Sequence, residues 1–329
     1  RRGAAPVVVS ISTTRKADMA PTVSPKVGPR FAGIDCGTNS LRLLVADIEG
    51  NSFREVVREM RVVRLGEGID ETKMISESAL QRTYAALDEY VSVIRRKGVE
   101  RIRFCATSAT RDAGNKEIFL NGVQSRLGII PEVISGETEA ELSFMGATRE
   151  LTGGPYLVID IGGGSTEFVF GDRSVEAAKS VNIGCVRLAE RFSLSERPTA
   201  ELISAAVSEI DNAIEIASKV VPIATPSTLI AVAGTATTVA AASMNLENYD
   251  RDVIHLSRIK ATDVERISNQ FLNMNAAERG ELPYMHPGRK DVIASGALIL
   301  NRIMYATGAS EFVASEHDIL DGMAWSLAH

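Results

Sequence analysis

Ile34-Asp35-Cys36-Gly37-Thr38-Asn39-Ser40 and Ile159-Asp160-Ile161-Gly162-Gly163-Gly164-Ser165 are two copies of one pattern. Ile, Asp, Gly and Ser recur in register. Each copy follows a short apolar run and precedes another, so each reads as a strand, an Asp–Gly turn and a second strand. One such match is within the reach of chance. Two, each heading half of the chain, indicate a duplicated domain whose boundary is the Thr152-Gly153-Gly154-Pro155 break.

The length agrees: 329 residues is about twice the ~150-residue prior for one domain, enough for two cores with a cleft between them. From Phe31 onward, β-rich runs alternate with amphipathic helices, the pattern of an α/β protein. The spacing predicts a helix over 76–97, with Leu80, Tyr84, Leu87, Val91 and Ile94 on one face. Ser76 caps it, and Arg95, Arg96 and Lys97 close it before Gly98. Two more sheet-covering helices are predicted near 199–220 and 287–306.

Composition narrows the class. With 45% hydrophobic and 24% charged residues and no run near ~20 apolar residues, a disordered chain and a membrane span are both excluded. Cys36, Cys105 and Cys185 lie far apart with no Cys-x-x-Cys pair, which argues against a disulfide framework or thiolate zinc site and fits a reducing, cytoplasmic compartment. Residues 1–30 hold six basic residues (Arg1, Arg2, Arg15, Lys16, Lys26, Arg30) and one acid, Asp18. Rich also in Pro, Ser, Thr and Val, they are expected to form a disordered basic extension, with translation starting within it at Met19. The remainder, with 30 basic and 41 acidic residues, is net −11, which argues against nucleic acid as a partner. An anionic ligand must be held by local groups.

Five apolar runs each end in small, hydroxylated or charged residues: 36–40, 107–111, 135–139, 162–166 and 234–238. Ligand crevices of open α/β sheets lie beyond the carboxyl ends of strands, so these loops are expected to converge on one interdomain cleft. Gly162, Gly163, Gly164, Ser165 and Thr166 form a turn whose backbone N–H groups and hydroxyls suit phosphate. Gly37, Thr38, Asn39 and Ser40 form its counterpart. Asp35 and Asp160 would stand beside the bound anion, where repulsion calls for a hard cation such as Mg²⁺; either Asp could instead cap its own turn, and for Asp160, followed by Glu167 on the next strand, metal or water binding is the favoured reading. At about 100° per residue, Glu137 and Glu141 share one side of their helix and Glu139 projects from the other, so one carboxylate can aim into the cleft as a general base. Arg42, Arg64, Arg111 and Arg187 lie near these loops as candidate phosphate forks, Arg111 foremost because it shares a loop with hydroxyls. The histidines show no metal spacing.

Taken together, GIDCGTNSLRLLV (33–45), RLGEG (64–68), ATSATRDAGN (106–115), VISGETEAEL (133–142), VIDIGGGSTEF (158–168), NIGCVRLAERF (182–192), AGTATTVAA (233–241) and GRKDVIASGALIL (288–300) resemble the exopolyphosphatase and guanosine pentaphosphate phosphatase family. The resemblance spans nearly all of the chain after residue 30. It implies a duplicated actin-like, ribonuclease-H-like fold shared with sugar kinases and acetate kinase, and Mg²⁺-dependent release of terminal phosphates from inorganic polyphosphate or guanosine pentaphosphate. It also implies Glu139 as general base, Asp160 and Glu167 on the metal or attacking water, and Arg111 on phosphate. The two glycine turns, with Arg64, Gly234 and Thr235, would hold successive phosphates. A homodimer is expected from the resemblance alone. SEHDILDGMAW near the C-terminus departs from the family's usual signature, so no residue is carried over there, and residues 308–329 are expected to return to the first domain (31–152), leaving 153–307 as the second. Two other readings stand beside the hydrolase: an ATP-dependent kinase of the same superfamily and a non-catalytic sensor of polyphosphate or guanosine polyphosphates.

Overall fold

Arg30, which the sequence groups with the basic extension, opens the first strand instead. It sits opposite Asp47 on the neighbouring strand and is buried there, its Nε and Nη2 donating to the two carboxylate oxygens at 2.6 and 2.9 Å. The computed structural model describes residues 28–225 and 227–328, so nearly all of the expected extension lies outside the described residues.

The first unit runs β1 (Arg30–Cys36), β2 (Ser40–Glu49), β3 (Ser52–Val62), α1 (Ile69–Thr72), α2 (Glu77–Lys97), β4 (Arg101–Ala106), α3 (Ser108–Asp112), α4 (Lys116–Leu127), β5 (Glu132–Val133) and α5 (Gly136–Thr148). The second runs β6 (Tyr156–Ile161), β7 (Thr166–Gly171), β8 (Val175–Val181), α6 (Cys185–Arg191), α7 (Ala200–Ser218), β9 (Thr228–Val232), α8 (Ala233–Ser243), α9 (Arg251–Ile254), β10 (Arg258–Lys260), α10 (Ala261–Leu272), α11 (Ala276–Gly280), α12 (Ile293–Thr307) and β11 (Glu311–Ala314). A last helix, α13, spans Ile319–Ala328.

The sheets repeat one topology. The first is ordered β3-β2-β1-β4-β5 and the second β8-β7-β6-β9-β11, with β10 added at the edge. In both, three antiparallel strands are followed by two parallel ones. This is a duplicated actin-like, ribonuclease-H-like α/β fold. Ile34, Leu43, Phe104, Leu87 and Tyr90 are central to the first core, and Ile159, Phe168, Ile210, Phe271 and Ile303 to the second.

Local chemistry sets the helix ends. Ser76 Oγ accepts from the Ala79 N–H at 3.2 Å and Gly98 closes α2 at φ 62°, a left-handed conformation that favours glycine. Thr199 caps α7 in the same way. α12 begins six residues later than its pattern suggested, because residues 287–292 are taken up by turns; the Arg289 N–H bonds to the His286 carbonyl at 2.9 Å. No helix among the described residues is long and apolar enough to cross a membrane.

The closing helix of each unit covers the other unit's sheet. α5 lays Ala140, Phe144 and Ala147 on Val158, Val169 and Ile230 of the second sheet, while α13 packs Leu320 and Ala324 on Phe31, Leu44 and Ala46 of the first. The domain limits read from the sequence therefore shift. Residues 136–148 belong by packing to the second sheet, β11 pairs with β9 and β10, and of 308–329 the segment that returns to the first sheet is α13. An amphipathic pattern shows that a helix has an apolar face, not which of two similar sheets will cover it.

Candidate active site

Register places the acids. Asp35, at the end of β1, stands opposite Arg42 on β2; Asp160, at the end of β6, stands opposite Glu167 on β7. Opposed residues of an antiparallel pair project from the same face. Equivalent positions thus carry an acid–base pair in the first unit and two acids in the second.

The strand ends enclose a cleft between the units. Asp35, Gly37, Thr38, Asn39, Ser40 and Arg42 line it from the first, joined by Thr107 and Ser108. Asp160, Gly162, Gly163, Ser165, Gly234 and Thr235 line it from the second, and Glu139 enters from α5. The two turns touch: Thr38 Oγ1 is 2.8 Å from Ser108 Oγ, and a Cβ on Gly164 would lie 2.6 Å from Ser108 Oγ and 2.8 Å from Thr38 Oγ1. Only glycine permits that approach.

Behind the second turn, the first N–H groups of α6 hold its carbonyls. Cys185 N–H bonds to Gly162 O at 2.9 Å, and Val186 and Arg187 N–H bond to Gly163 O at 2.9 and 3.1 Å. In a planar trans peptide the carbonyl and the next N–H point oppositely. The N–H groups of Gly163 and Gly164 are therefore turned away from α6, as an anion nest requires.

The acids are crowded and buried. Burial pushes the Glu139 carboxyl up to about 7, against Arg111, whose Nη1 donates to Oε2 at 2.7 Å; the charges of Asp160 and Asp35 raise it further. Burial pushes Asp160 up to about 6, aided by the charge of Asp318, although Ser143 Oγ donates to its Oδ2. Glu167 is raised by burial and then by Glu139 and Asp160; Ser180 Oγ donates to its Oε1 at 2.7 Å, and Oε2 is buried without a hydrogen-bond partner among the described residues. Burial likewise raises Asp35, whose Oδ2 accepts from Arg42 Nε and Nη2 at 2.9 and 2.8 Å while Oδ1 has no hydrogen-bond partner among the described residues. Asp318 differs: burial opposes ionisation, but Arg42 and Arg58 outweigh it and hold its carboxyl low.

Several candidates occupy other places than the sequence suggested. Arg111 Nη1 donates both to Glu139 and to the Ile134 carbonyl at 2.9 Å, so it orients an acid, and the residue is not among those that line the cleft. Arg64, held at φ 50°, pairs with Asp291 in a side cavity that shares Asn39 with the cleft. Thr166 is fully buried in β7, where its hydroxyl donates to the Ile183 carbonyl at 2.8 Å, out of reach of a ligand. Glu167, opposite Asp160 on β7, is buried and is not among the residues that line the cleft.

Arg289 escaped the sequence reading although its motif was noted. Its guanidinium lines the cleft against Gly234, donates to Gly234 O at 3.3 Å and Thr238 Oγ1 at 3.1 Å, and has no carboxylate partner among the described residues. Met60 and Val62 of β3 also line the cleft with nothing in the sequence to mark them.

Asp35 Oδ1 and Glu167 Oε2 are hard oxygen donors of the type magnesium takes, but Asp35, Asp160 and Glu167 do not bring three ligand atoms within 4.8 Å of one another, so the three-carboxylate site expected from the sequence is not assembled here. Among the described residues, the one trio of ligand atoms within 4.8 Å of one another lies elsewhere, at Glu150, His255 and His317. That trio does not present a lone pair from His255: the Glu316 N–H donates to Nδ1 at 3.2 Å, which leaves the ring proton on Nε2, facing Glu150.

Two actin-like halves around a cleft with paired anion turns and buried ionisable acids define a phosphoryl-handling enzyme of that superfamily. The chain belongs to the Ppx/GppA phosphatase family, matched over residues 44–329, and is a phosphoanhydride hydrolase. It is 42% identical over 314 residues to exopolyphosphatase 2 of Mycobacterium tuberculosis, covering 91% of this chain and 98% of that protein. It is 29% identical to a guanosine-5'-triphosphate,3'-diphosphate pyrophosphatase of Photobacterium profundum, over 92% of this chain and 60% of that one. Among solved structures, an exopolyphosphatase-like protein matches with TM-score 0.86 and 41% identity, over 91% of this chain and 98% of that one. The Aquifex aeolicus member of the family matches with 0.77 and 29%, over 91% and 97%.

Proposed function

We propose that the protein is an exopolyphosphatase, releasing orthophosphate from the ends of inorganic polyphosphate, with guanosine pentaphosphate as a second substrate of the same cleft. The observation that supports this best is the pairing of two facing anion turns with one buried acid, Glu139, poised near neutral pH. The two turns hold successive phosphates, and Arg289 has donors free of any carboxylate to meet a third. Ionised Glu139 accepts a proton from water and orients it in line with the terminal phosphorus, while Arg111 fixes the carboxylate that does so. Asp35 and Asp160, the two acids that line the cleft at the turns, would hold a magnesium ion together with phosphate oxygens. Bound there, it supplies charge neutralisation for the acids and the phosphate oxygens.

The test is orthophosphate release from short-chain polyphosphate, with and without Mg²⁺, by the wild-type protein and by Glu139→Gln. The substitution keeps shape and removes the base, so kcat should fall ~10²–10⁴-fold while polyphosphate still binds. Tight binding with no release by the wild type would replace the hydrolase with a sensor.

A further inference from the structure

Arg187 stands outside the cleft, its side chain only 10% exposed, yet it joins three groups at once. Nε donates to the Gly164 carbonyl at 2.9 Å, Nη2 to Asp112 Oδ2 at 2.7 Å, and Nη1 to Asp70. Gly164 belongs to the second unit's anion turn, whereas Asp70 in α1 and Asp112 at the end of α3 belong to the first. The Gly162 and Gly163 carbonyls are held by backbone N–H groups of α6, which move with the second unit. The Gly164 carbonyl is different, because the side chain that holds it is itself anchored across the cleft.

We propose that Arg187 is a positioning residue that makes the anion turn depend on closure of the two units. With the Gly164 carbonyl drawn toward Arg187, the Ser165 N–H points the opposite way and completes the nest begun by Gly163 and Gly164. When the units part, Asp70 and Asp112 withdraw, the guanidinium loses two of its three anchors, and the Gly164–Ser165 peptide is free to rotate. The same closure sets the acid: Asp112 follows Arg111 on α3, and Arg111 holds Glu139. A polyphosphate chain bridging the two turns would thereby favour the arrangement that binds its own terminal phosphate. This rests on the reading of the cleft as a phosphate site, and it changes the part assigned to Arg187 from phosphate ligand to the link between closure and turn.

The experiment separates binding from turnover. Calorimetry with inorganic tripolyphosphate in EDTA reads the turn in the absence of metal and of hydrolysis; steady-state phosphate release with Mg²⁺ then gives kcat and KM. Arg187→Ala should weaken tripolyphosphate about tenfold and lower kcat by about tenfold to a hundredfold, the scale of an ångström-sized misplacement. The double variant Asp70→Ala with Asp112→Ala removes both anchors, and with them the Arg191 contacts to Asp70, while leaving Arg187 itself in place, so the turn is ordered only by bound substrate: KM should rise severalfold with kcat largely retained at saturation. Arg187→Lys restores a charge to Asp70 and Asp112 but cannot span the carbonyl as well, so KM should recover and kcat should not. Wild-type tripolyphosphate affinity and kcat in a folded Arg187→Ala, judged by circular dichroism, would overturn the proposal. So would full recovery of kcat by lysine. If the wild type releases no phosphate, the hydrolase reading fails, and the calorimetric comparison still decides the role of Arg187.

Discussion

Glu139 and Arg111 are 28 positions apart in the chain and 2.7 Å apart in space, and the pair sets when the acid is a base. Burial lifts the carboxyl to about 7 even with a guanidinium on it. A general base works ionised, so kcat/KM should rise with pH through about 7 and level off above it, with that limb missing in Glu139→Gln. A wild-type profile flat from about pH 5.5 to 8.5 would remove Glu139 from the role. Arg289 has the reverse character, a cation lining the cleft whose hydrogen-bond partners among the described residues are neutral. Arg289→Ala should raise KM for polyphosphate about tenfold, the loss of one charge-assisted phosphate contact, with a smaller effect on kcat.

At the scale of elements, α5 and α13 matter most, because each is the lid of the other unit's sheet and the two cross at glycines. A Cβ on Gly146 would overlap the Asp318 backbone, and one on Gly322 would overlap the Leu142 backbone. Backbone cannot yield as a flexible side chain can, so Gly322→Ala must push the helices apart at a cost of ~1–3 kcal/mol. Urea unfolding should read that loss. Activity should fall beyond it, since α5 carries Glu139 and Asp318 at the head of α13 holds Arg42. The helix caps are more ordinary: Ser76→Ala removes the acceptor for the Ala79 N–H and should cost about 1 kcal/mol with kcat unchanged.

For the molecule as a whole, the cost lies in the acids gathered where the two units meet. Asp160 and Glu139 are raised to about 6 and about 7, mainly by burial, so between the ordinary carboxyl range and pH 7 the unfolded chain binds fewer protons than the folded one. Stability from these groups is therefore present at acid pH and lost as pH rises through that window. A magnesium ion held by the ionised acids should reverse the loss. Mg²⁺ should raise Tm more at pH 8 than at pH 5.5, read by calorimetry without substrate; an equal shift at both would place the ion elsewhere. Across the mouth, Arg64 to Asp291, Asn39 Nδ2 to Gly288 O and Arg187 to Asp70 and Asp112 link the units, so closure is built from polar contacts that substrate and salt can shift.

The repeat of Ile34–Ser40 in Ile159–Ser165 was enough to determine the duplication, the strand–turn–strand at the head of each unit, and which loops would meet. These follow from local rules of glycine turns, strand alternation and capping, which act over a few residues and are written in order along the chain. The tertiary structure alone decided that α5 and α13 exchange sheets, that Arg111 orients Glu139, that Arg187 holds Gly164 and that Arg289 faces the cleft. Such assignments depend on which of several equivalent partners lies within about 3 Å after packing, and residues dozens of positions apart carry no local sign of it. Sequence thus placed the turns, and packing chose which charges would serve them.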